Sequence, residues 1–308
     1  MILKPNNQVA GACIIRNAVD LVPFLCGHYL RAGFAHLSFI DDGSSDGTFE
    51  SLTRIARRTG RIEVRRVQSD AFRQAAHVTE AANALIRAGY SIVVPFDADE
   101  FWNLEAAELK HLSADAQDVL FQGQWINFVQ ARTCVLTRRR SLLSMRYQAS
   151  ATEQSTQKTV CGYSQSFVCH VEKKIAFKTR GEVRIGQGQH NLLRGPNQVR
   201  GPLFEIFHLP LRSRTEIVTR GTDYEPRRAP MRTEPGVSWQ SAFHKDVIAA
   251  GRVDAVWAAN SYDSKGQLDV YGKPLALMPD NRLRGAIMRA AWHLFSRYGL
   301  LPYRPGDR

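Results

Sequence analysis

The sequence predicts an α/β fold in which a mostly parallel sheet is flanked by helices, with a helical extension at the C-terminal end. Strand-like and helix-like segments alternate between residues 9 and 96, which is typical of parallel sheets covered by helices. The 308 residues are 44% hydrophobic and 23% charged, a globular balance with enough chain for one large domain or two modest ones. The pattern changes after Trp102, where strands and helices no longer alternate regularly.

The first half contains four predicted strands and three predicted helices. Apolar runs predict strands over 9–15, 36–42, 62–67 and 91–96, and apolar residues at helical spacing predict helices over 21–32, 47–58 and 72–88. Gly33 and Gly89 end two of these helices, and Asp46 can cap the one that begins at 47.

The second half is less regular. A short helix is predicted over 105–112, followed by strands over 118–128, 174–178 and 204–209. Ser213 and Glu216 form a predicted capping box that starts a helix. Three prolines predict a loop or linker over 221–236, and helices follow over 239–250, 253–259 and 281–298. We therefore divide the chain into 1–220, with halves 1–112 and 113–220, and a loop and helical region over 221–308.

The net charge of +12 suggests a polyanionic partner: nucleic acid, a phosphate-bearing substrate or an anionic membrane surface. No apolar run reaches the ~20 residues that span a bilayer, and the first residues lack a signal-peptide pattern, so a cytoplasmic location is expected.

The five cysteines have irregular spacing, which disfavours a disulfide framework or a zinc site. A nucleic-acid-binding protein is one alternative, although basic residues are dispersed and the distinctive motifs are acidic.

Three acids follow the fourth predicted strand in "VVPFDADEFW". Asp97 and Asp99 form a D-x-D at a strand end, where ligands of such sheets bind. Two carboxylates held close together repel each other unless a divalent cation lies between them, and Mg²⁺ or Mn²⁺ suits these oxygen ligands. Glu100 should point away from Asp99 and anchor the turn.

The second predicted strand also ends in acids, Asp41 and Asp42, which can accept hydrogen bonds from a base or a ribose. A plain Asp-Gly turn is the alternative. Dinucleotide and P-loop sites are disfavoured, because neither phosphate-binding glycine pattern is present.

Histidines and arginines of the second half supply further candidates. His208, or alternatively His190, is a candidate third metal ligand. Arg212 and Arg214 lie beside the predicted helix start at Ser213 and would suit phosphate oxygens.

Three stretches together resemble the glycosyltransferase family 2-like proteins that have a GT-A fold. They are "CIIRNAVDLVPFLCGHYLRAGFAHLSFIDDGSSDGT", "DADEFW", which resembles the Asp-x-Asp-Glu-Phe motif of a bacterial subgroup, and "HLPLRSRTEIVTRG". The resemblance covers about 10–112 well and 170–221 loosely. It implies a nucleotide-diphosphate-sugar donor, most often a UDP-sugar, a divalent metal (Mn²⁺ or Mg²⁺), and hexosyl transfer to a saccharide or lipid-linked acceptor in surface polysaccharide or glycoconjugate synthesis.

The resemblance also implies residue roles. Arg16 and Asn17 would line the base pocket, Asp42 would contact the base, Asp97 would lie near the ribose or metal, and Asp99 would ligate the metal. Ala18 departs from the family pattern, which has an acid there, and Asp20 is the nearest substitute.

Family 2 members generally invert the sugar's configuration, which requires a base to take the acceptor's proton. The sequence leaves that base open among four glutamates: Glu153, Glu172, Glu182 and Glu205. A catalytically degenerate sugar-binding module is therefore a second alternative. The last predicted helix, 281–298, either packs its apolar side on the core or uses its basic and apolar faces to contact an anionic membrane.

Overall fold

The parallel half of the sheet forms as the sequence predicts. A computed structural model describes residues 6–68, 73–136, 138–149, 173–229, 239–270 and 272–300. Its first elements are strands β1 (Asn6–Ile15), β2 (His36–Asp42), β3 (Ile62–Val67) and β4 (Tyr90–Pro95), and helices α1 (Val22–Arg31), α2 (Thr48–Thr59) and α3 (Gln74–Arg87). The four strands pair in parallel in the order β3-β2-β1-β4.

The sheet continues beyond β4 with antiparallel strands. The next elements are β5 (Glu100–Trp102), α4 (Ala106–Leu112), β6 (Val119–Ala131), β7 (Tyr147–Ala149), β8 (Lys174–Lys178), β9 (Arg184–Ile185), β10 (Leu192–Arg194) and β11 (Val199–His208). Strand β8 lies antiparallel between β4 and β6. Strand β11 pairs in parallel with β6 and antiparallel with β5, so that His208 lies opposite Glu100.

The last third is mainly helical. It contains α5 (Arg214–Thr219), a π-helical turn (Arg220–Tyr224), α6 (Glu225–Arg228), α7 (Trp239–Ala249), α8 (Val253–Ala258), the short strands β12 (Ser261–Tyr262), β13 (Leu268–Val270), β14 (Lys273–Leu275) and β15 (Leu277–Pro279), and α9 (Arg282–Tyr298). No helix in the described ranges is long and apolar enough to span a membrane.

Two local predictions for this third are wrong. Residues 221–228 are helical rather than a loop, and 230–238 lie outside the described residues. A helix does begin after Ser213, but no side-chain cap holds its first turn, so the predicted capping box is absent. Glu216 instead accepts the backbone N–H of Arg212 at 2.6 Å. The division of the chain at residue 220 stays a prediction.

Apolar layers cover both faces of the sheet. One face packs on α1, α2, α4 and α9 through a cluster that includes Leu25, Phe39 and Leu283, and the other packs on α3 through Val78 and Leu85. The α/β class is therefore confirmed. Since β1, β2 and β4 run in parallel, their carboxyl ends lie at one edge of the sheet, and we call this the carboxyl edge.

Candidate active site at the carboxyl edge of the sheet

A tight turn holds the D-x-D at the end of β4. The backbone N–H of Asp97 donates to Glu100 Oε2 at 3.1 Å, and the backbone N–H of Glu100 donates to the Asp97 carbonyl at 3.1 Å. Tyr29 Oη donates to the Glu100 carbonyl at 3.0 Å from the core side. Glu100 is fully buried. Glu100 therefore anchors the turn, as its position in the sequence suggested.

Lys174, at the start of β8, neutralises two of the three acids. Its Nζ lies 2.6 Å from Asp97 Oδ2 and 2.8 Å from Glu100 Oε1, and it donates to the Gly188 carbonyl at 2.8 Å. Burial, which leaves Lys174 only 1% exposed, acts to lower the pKa of the ammonium, but the two carboxylates outweigh it and raise that pKa above its usual range. Lys174 is therefore a permanent buried cation beneath the D-x-D.

The second oxygen of Asp97 is also engaged. Oδ1 accepts hydrogen bonds from Gln74 Nε2 at 2.5 Å and from Gln189 Nε2 at 2.9 Å. Gln189 is fully buried in a left-handed conformation, and its Oε1 has no hydrogen-bond partner within the described residues. Both oxygens of Asp97 are thus held by the protein, and an unpaired acceptor lies beside them.

Asp99 lies in a different environment, beside His208 at the end of β11. Its Oδ2 lies 3.7 Å from His208 Nε2. Burial acts to raise the pKa of Asp99, but the adjacent His208 and the positive charges of Arg220 and Arg212 outweigh it and lower that pKa below its usual range. Asp99 is therefore ionised at neutral pH.

The imidazole of His208 is oriented by its neighbours. Nδ1 donates to Asn127 Oδ1 at 2.7 Å, and the ring stacks on Trp125 at a centroid distance of 3.8 Å. In the neutral ring this bond leaves the lone pair on Nε2, the nitrogen that faces Asp99. A histidine held this way is suited to metal ligation.

The predicted metal ligands are only partly brought together. Asp99 and His208 meet, whereas the oxygens of Asp97 are directed to Lys174, Gln74 and Gln189. His190 contacts the Lys173 carbonyl at 3.4 Å instead. Across the described part of the chain, no three His, Cys, Asp or Glu side chains form a metal cluster.

The end of β2 carries the predicted base pocket. Asp41 points inward: its Oδ2 accepts the Ser44 N–H at 3.2 Å and lies 3.4 Å from Arg66 Nε, and burial raises its pKa. Arg16 donates to the Gly43 carbonyl at 2.9 Å, and Asn17 Oδ1 accepts the Ser45 N–H at 2.9 Å. Arg16 and Asn17 therefore border the turn that follows Asp42.

A distant part of the chain contacts Arg16, Asn17 and Asp42, and we call residues 220–228 the covering segment. Asp223 forms an ion pair with Arg16 at 2.6 Å and accepts Asn17 Nδ2 at 3.1 Å. Arg227 Nη2 donates to both oxygens of Asp42 at 2.7 Å. The segment begins with Arg220, whose charge acts on Asp99, so it extends between the two groups of acids.

An acid of the covering segment lies near the position at which Ala18 departs from the resembled pattern. Asp20, the nearest acid in the sequence, is buried and accepts Arg212 Nε at 3.0 Å. Asp223 lies beside Arg16 and Asn17 instead, more than 200 residues along the chain. Nothing in the local sequence indicates this contact.

The two predicted phosphate-binding arginines have carboxylate partners. Arg212 is buried and pairs with Asp20 and Glu216, while Arg214 is half-buried and pairs with Asp254. Of the four candidate bases, Glu182 is exposed, Glu205 pairs with Arg282 at 2.6 Å, and Glu153 and Glu172 lie outside the described residues. The phosphate and base assignments stay predictions.

No protein-family model matches the chain, and no curated protein matches it significantly. Solved structures that align with it include S. aureus TarS (13% identity, 80% of this chain and 43% of that chain, TM-score 0.35). A second is S. aureus TarS 1–349 in complex with UDP (10% identity, 80% of this chain and 70% of that chain, TM-score 0.38). A third is the mannosyltransferase PcManGT from Pyrobaculum calidifontis in complex with GDP-Man and Mn²⁺ (16% identity, 96% of this chain and 76% of that chain, TM-score 0.37). The chain spans less than half of the first of these TarS chains.

Proposed function

We propose that this protein is a metal-dependent glycosyltransferase that uses a nucleotide-diphosphate sugar, preferentially a UDP-sugar. The sugar would pass with inversion to a saccharide or lipid-linked acceptor in surface polysaccharide or glycoconjugate synthesis. One observation carries the proposal: the base-pocket candidates at the end of β2 and the Asp99–His208 pair beside the end of β4 lie at the same carboxyl edge. Strands β2 and β4 flank β1, so their ends are about 10 Å apart, a distance that a nucleoside diphosphate can bridge.

Asp99 and His208 are the residues that fit a divalent cation. The pair offers one ionised carboxylate and one imidazole nitrogen, and Mg²⁺ or Mn²⁺ sites commonly use few protein ligands together with substrate phosphates. When bound, the cation would stabilise negative charge on the departing diphosphate. Asn127 would fix the His208 tautomer and ring orientation throughout.

In this proposal Asp97 orients the donor rather than holding the metal. Lys174 and the two glutamines fix its carboxylate, and Gln189 Oε1 beside it is a buried acceptor that could receive a ribose hydroxyl. The positive charge of Lys174 offsets the negative charges of Asp97 and Glu100 without a metal between them.

The covering segment would have to shift for the base to reach Asp42. Arg227 holds both Asp42 oxygens, so a base N–H and Arg227 would compete for the same acceptors. Arg220, close enough to act on the charge of Asp99, would then be a candidate to face the diphosphate together with Arg212.

A screen of nucleotide sugars for hydrolysis, with and without Mn²⁺, tests the proposed function. We expect metal-dependent release of the nucleoside diphosphate from one donor, and at least a hundredfold loss of rate in Asp99→Asn, because a carboxamide is a much weaker ligand for a hard cation. Asp246→Asn, which alters an exposed acid on α7, is the matched control and should retain the full rate.

The outcomes of this screen separate the alternatives. Binding of UDP without turnover of any donor would indicate a nucleotide-sugar-binding module. Salt-sensitive RNA binding without any effect of UDP would indicate a nucleic-acid-binding protein. Equal hydrolysis by the wild type and Asp99→Asn would contradict the assigned metal site.

A further inference from the structure

Helix α9 is anchored to the protein by one apolar face. Leu283, Ile287, Ala290 and Leu294 are buried in the main core cluster or against α1. The two helices approach so closely that a Cβ atom on Gly27 of α1 would lie 2.3 Å from the Ala290 carbonyl oxygen. Of the two alternatives given for the helix predicted over 281–298, packing on the core is therefore correct for this face. The role of the opposite face is still to be explained.

The opposite face of α9 presents a second apolar surface to solvent. Met288, Trp292 and Phe295 are 56%, 66% and 45% exposed and follow each other at positions i, i+4 and i+7. The ring centroids of Trp292 and Phe295 are 5.8 Å apart. We call these three side chains the outer patch.

Clustering distinguishes the outer patch from ordinary surface exposure. Nine large apolar side chains are exposed in the described part of the protein, and three of them share this one helix face. Isolated exposed apolar residues need no explanation, whereas a contiguous patch marks a contact surface. The packing of α9 does not need these side chains, because its inner face already fills the contact with α1.

The charged side chains of α9 itself all have the same sign. Residues 281–300 contain four arginines and no aspartate or glutamate, and Arg282, at the start of the helix, pairs with Asp280 and Glu205. Arg284 lies one turn before Met288 on the same face, and Arg289 is three residues before Trp292 and borders it. The chain as a whole carries a net charge of +12, which adds to the same field.

The geometry points to an anionic lipid bilayer as the partner of the outer patch. An amphipathic helix that lies in the membrane interface presents Trp, Phe and Leu-type side chains to the acyl boundary and arginines to the headgroups. Trp favours that boundary because its ring is apolar and its N–H is polar. A second copy of the chain fits less well, since a twofold contact would bring one arginine-rich face against another.

In this arrangement the contact is peripheral and reversible. Three side chains bury a small apolar area, and the arginines add attraction to anionic lipid that weakens as salt is raised. The inference rests on α9 alone and does not depend on the proposed function.

Vesicle sedimentation with the full chain tests the inference. Vesicles of phosphatidylcholine mixed with phosphatidylglycerol should pellet the wild type at low salt, whereas vesicles of phosphatidylcholine alone should pellet at least about tenfold less. The double variant Trp292→Ser/Phe295→Ser should lose at least tenfold in partitioning. The matched control is Leu193→Ser, which removes a 60% exposed apolar side chain on β10 and should bind as the wild type does.

Charge variants and oligomeric state complete the test. Arg284→Gln/Arg289→Gln should weaken binding to anionic vesicles and reduce its salt dependence. Thermal unfolding should be unchanged in all variants, because the replaced side chains lie at the surface. Equal pelleting of the wild type and Trp292→Ser/Phe295→Ser, or a concentration-dependent dimer that this double variant disperses, would overturn the inference.

Discussion

The ends of strands β2 and β4 both carry clustered carboxylates, but the cations that neutralise them come from different parts of the fold. Each strand delivers acids to the carboxyl edge, and at each end a carboxylate is neutralised by a cation from elsewhere in the chain. At β4 that cation is Lys174, which belongs to a central strand and bridges Asp97 and Glu100. At β2 it is Arg227, which belongs to a short helix of the covering segment.

Because of this difference, Lys174 is a fixed cation and Arg227 is a removable one. Lys174 cannot leave without disrupting the pairing of β8 with β4 and β6. Arg227 can leave if four residues of α6 shift, and doing so exposes the acceptors that a base would use. We infer that the β4 end is preorganised and that the β2 end is opened by its ligand.

Removing the fixed cation should have the largest effect. Lys174→Met leaves the buried Glu100 and the half-buried Asp97 without a counter-charge, and breaking a buried ion pair in this way costs about 3–5 kcal/mol. Denaturant unfolding monitored by circular dichroism measures the change. Lys178→Met is the matched control, because Lys178 lies on the same strand but donates to the Ser113 carbonyl rather than to a carboxylate, and it should cost about 1 kcal/mol. Equal unfolding free energies for the two variants would refute the fixed role of Lys174.

Metal affinity should distinguish the two aspartates of the D-x-D. We expect Asp99→Asn to weaken Mn²⁺ binding by about 10- to 100-fold, which corresponds to about 1.4–2.7 kcal/mol. Asp97→Asn should weaken it by much less, since Asp97 is held by Lys174. Calorimetric titration with MnCl₂ measures both. A larger loss in Asp97→Asn than in Asp99→Asn would reverse the proposed assignment.

The pH dependence of stability should show that Asp99 is ionised in the folded protein. Its pKa is lowered in the folded state, so Asp99 contributes stability that is fully present above the unfolded-state pKa of about 3.9. That contribution is lost as pH falls through the folded-state value. Between pH 6 and pH 3 the wild type should therefore lose on the order of 1 kcal/mol more than Asp99→Asn, as urea unfolding without metal would measure. If the unfolding free energies of the wild type and Asp99→Asn fell in parallel with pH, Asp99 would not be ionised in the folded protein as proposed.

Removing the charge of Arg227 should have the smallest effect of the four changes. Unlike the other variants, which lose stability or metal affinity, this one should gain affinity for UDP. Arg227→Gln frees the oxygens of Asp42, so UDP should bind about fivefold tighter, which is the value of about one hydrogen bond. Arg200→Gln, which alters an arginine of β11 paired with Asp115 and assigned no role in the site, should leave UDP affinity unchanged. Weaker UDP binding in Arg227→Gln would mean that Arg227 belongs to the binding surface.

The strand ends could be predicted from sequence because they depend on local pattern. Apolar runs that stop at Asp42 and Asp97 indicate both the strand and its end, and parallel pairing brings these ends to one edge. The helical structure of the covering segment was missed because the three prolines of 221–236 suggested a loop. Pro226 occupies the first turn of α6, where a missing N–H costs nothing.

The partners of the acids could not be predicted from sequence. Lys174 is separated from Asp97 by 77 residues and Arg227 from Asp42 by 185, so only the tertiary fold brings them together. The one local signal was that Lys174 directly precedes the apolar centre of β8, since a buried lysine needs carboxylate partners. Asn127 gave no comparable signal, because it lies within a long strand whose pairing sets its position beside His208.

Calorimetric titration of UDP into the wild type, with and without Mn²⁺, tests the central claim most directly. A nucleotide at the carboxyl edge whose diphosphate meets a metal at Asp99 and His208 should bind at least about tenfold tighter with Mn²⁺, or about 1.4 kcal/mol. His208→Ala should abolish that gain, and Asp246→Asn should preserve it. UDP affinity that is unaffected by Mn²⁺, or no UDP binding under either condition, would contradict the account.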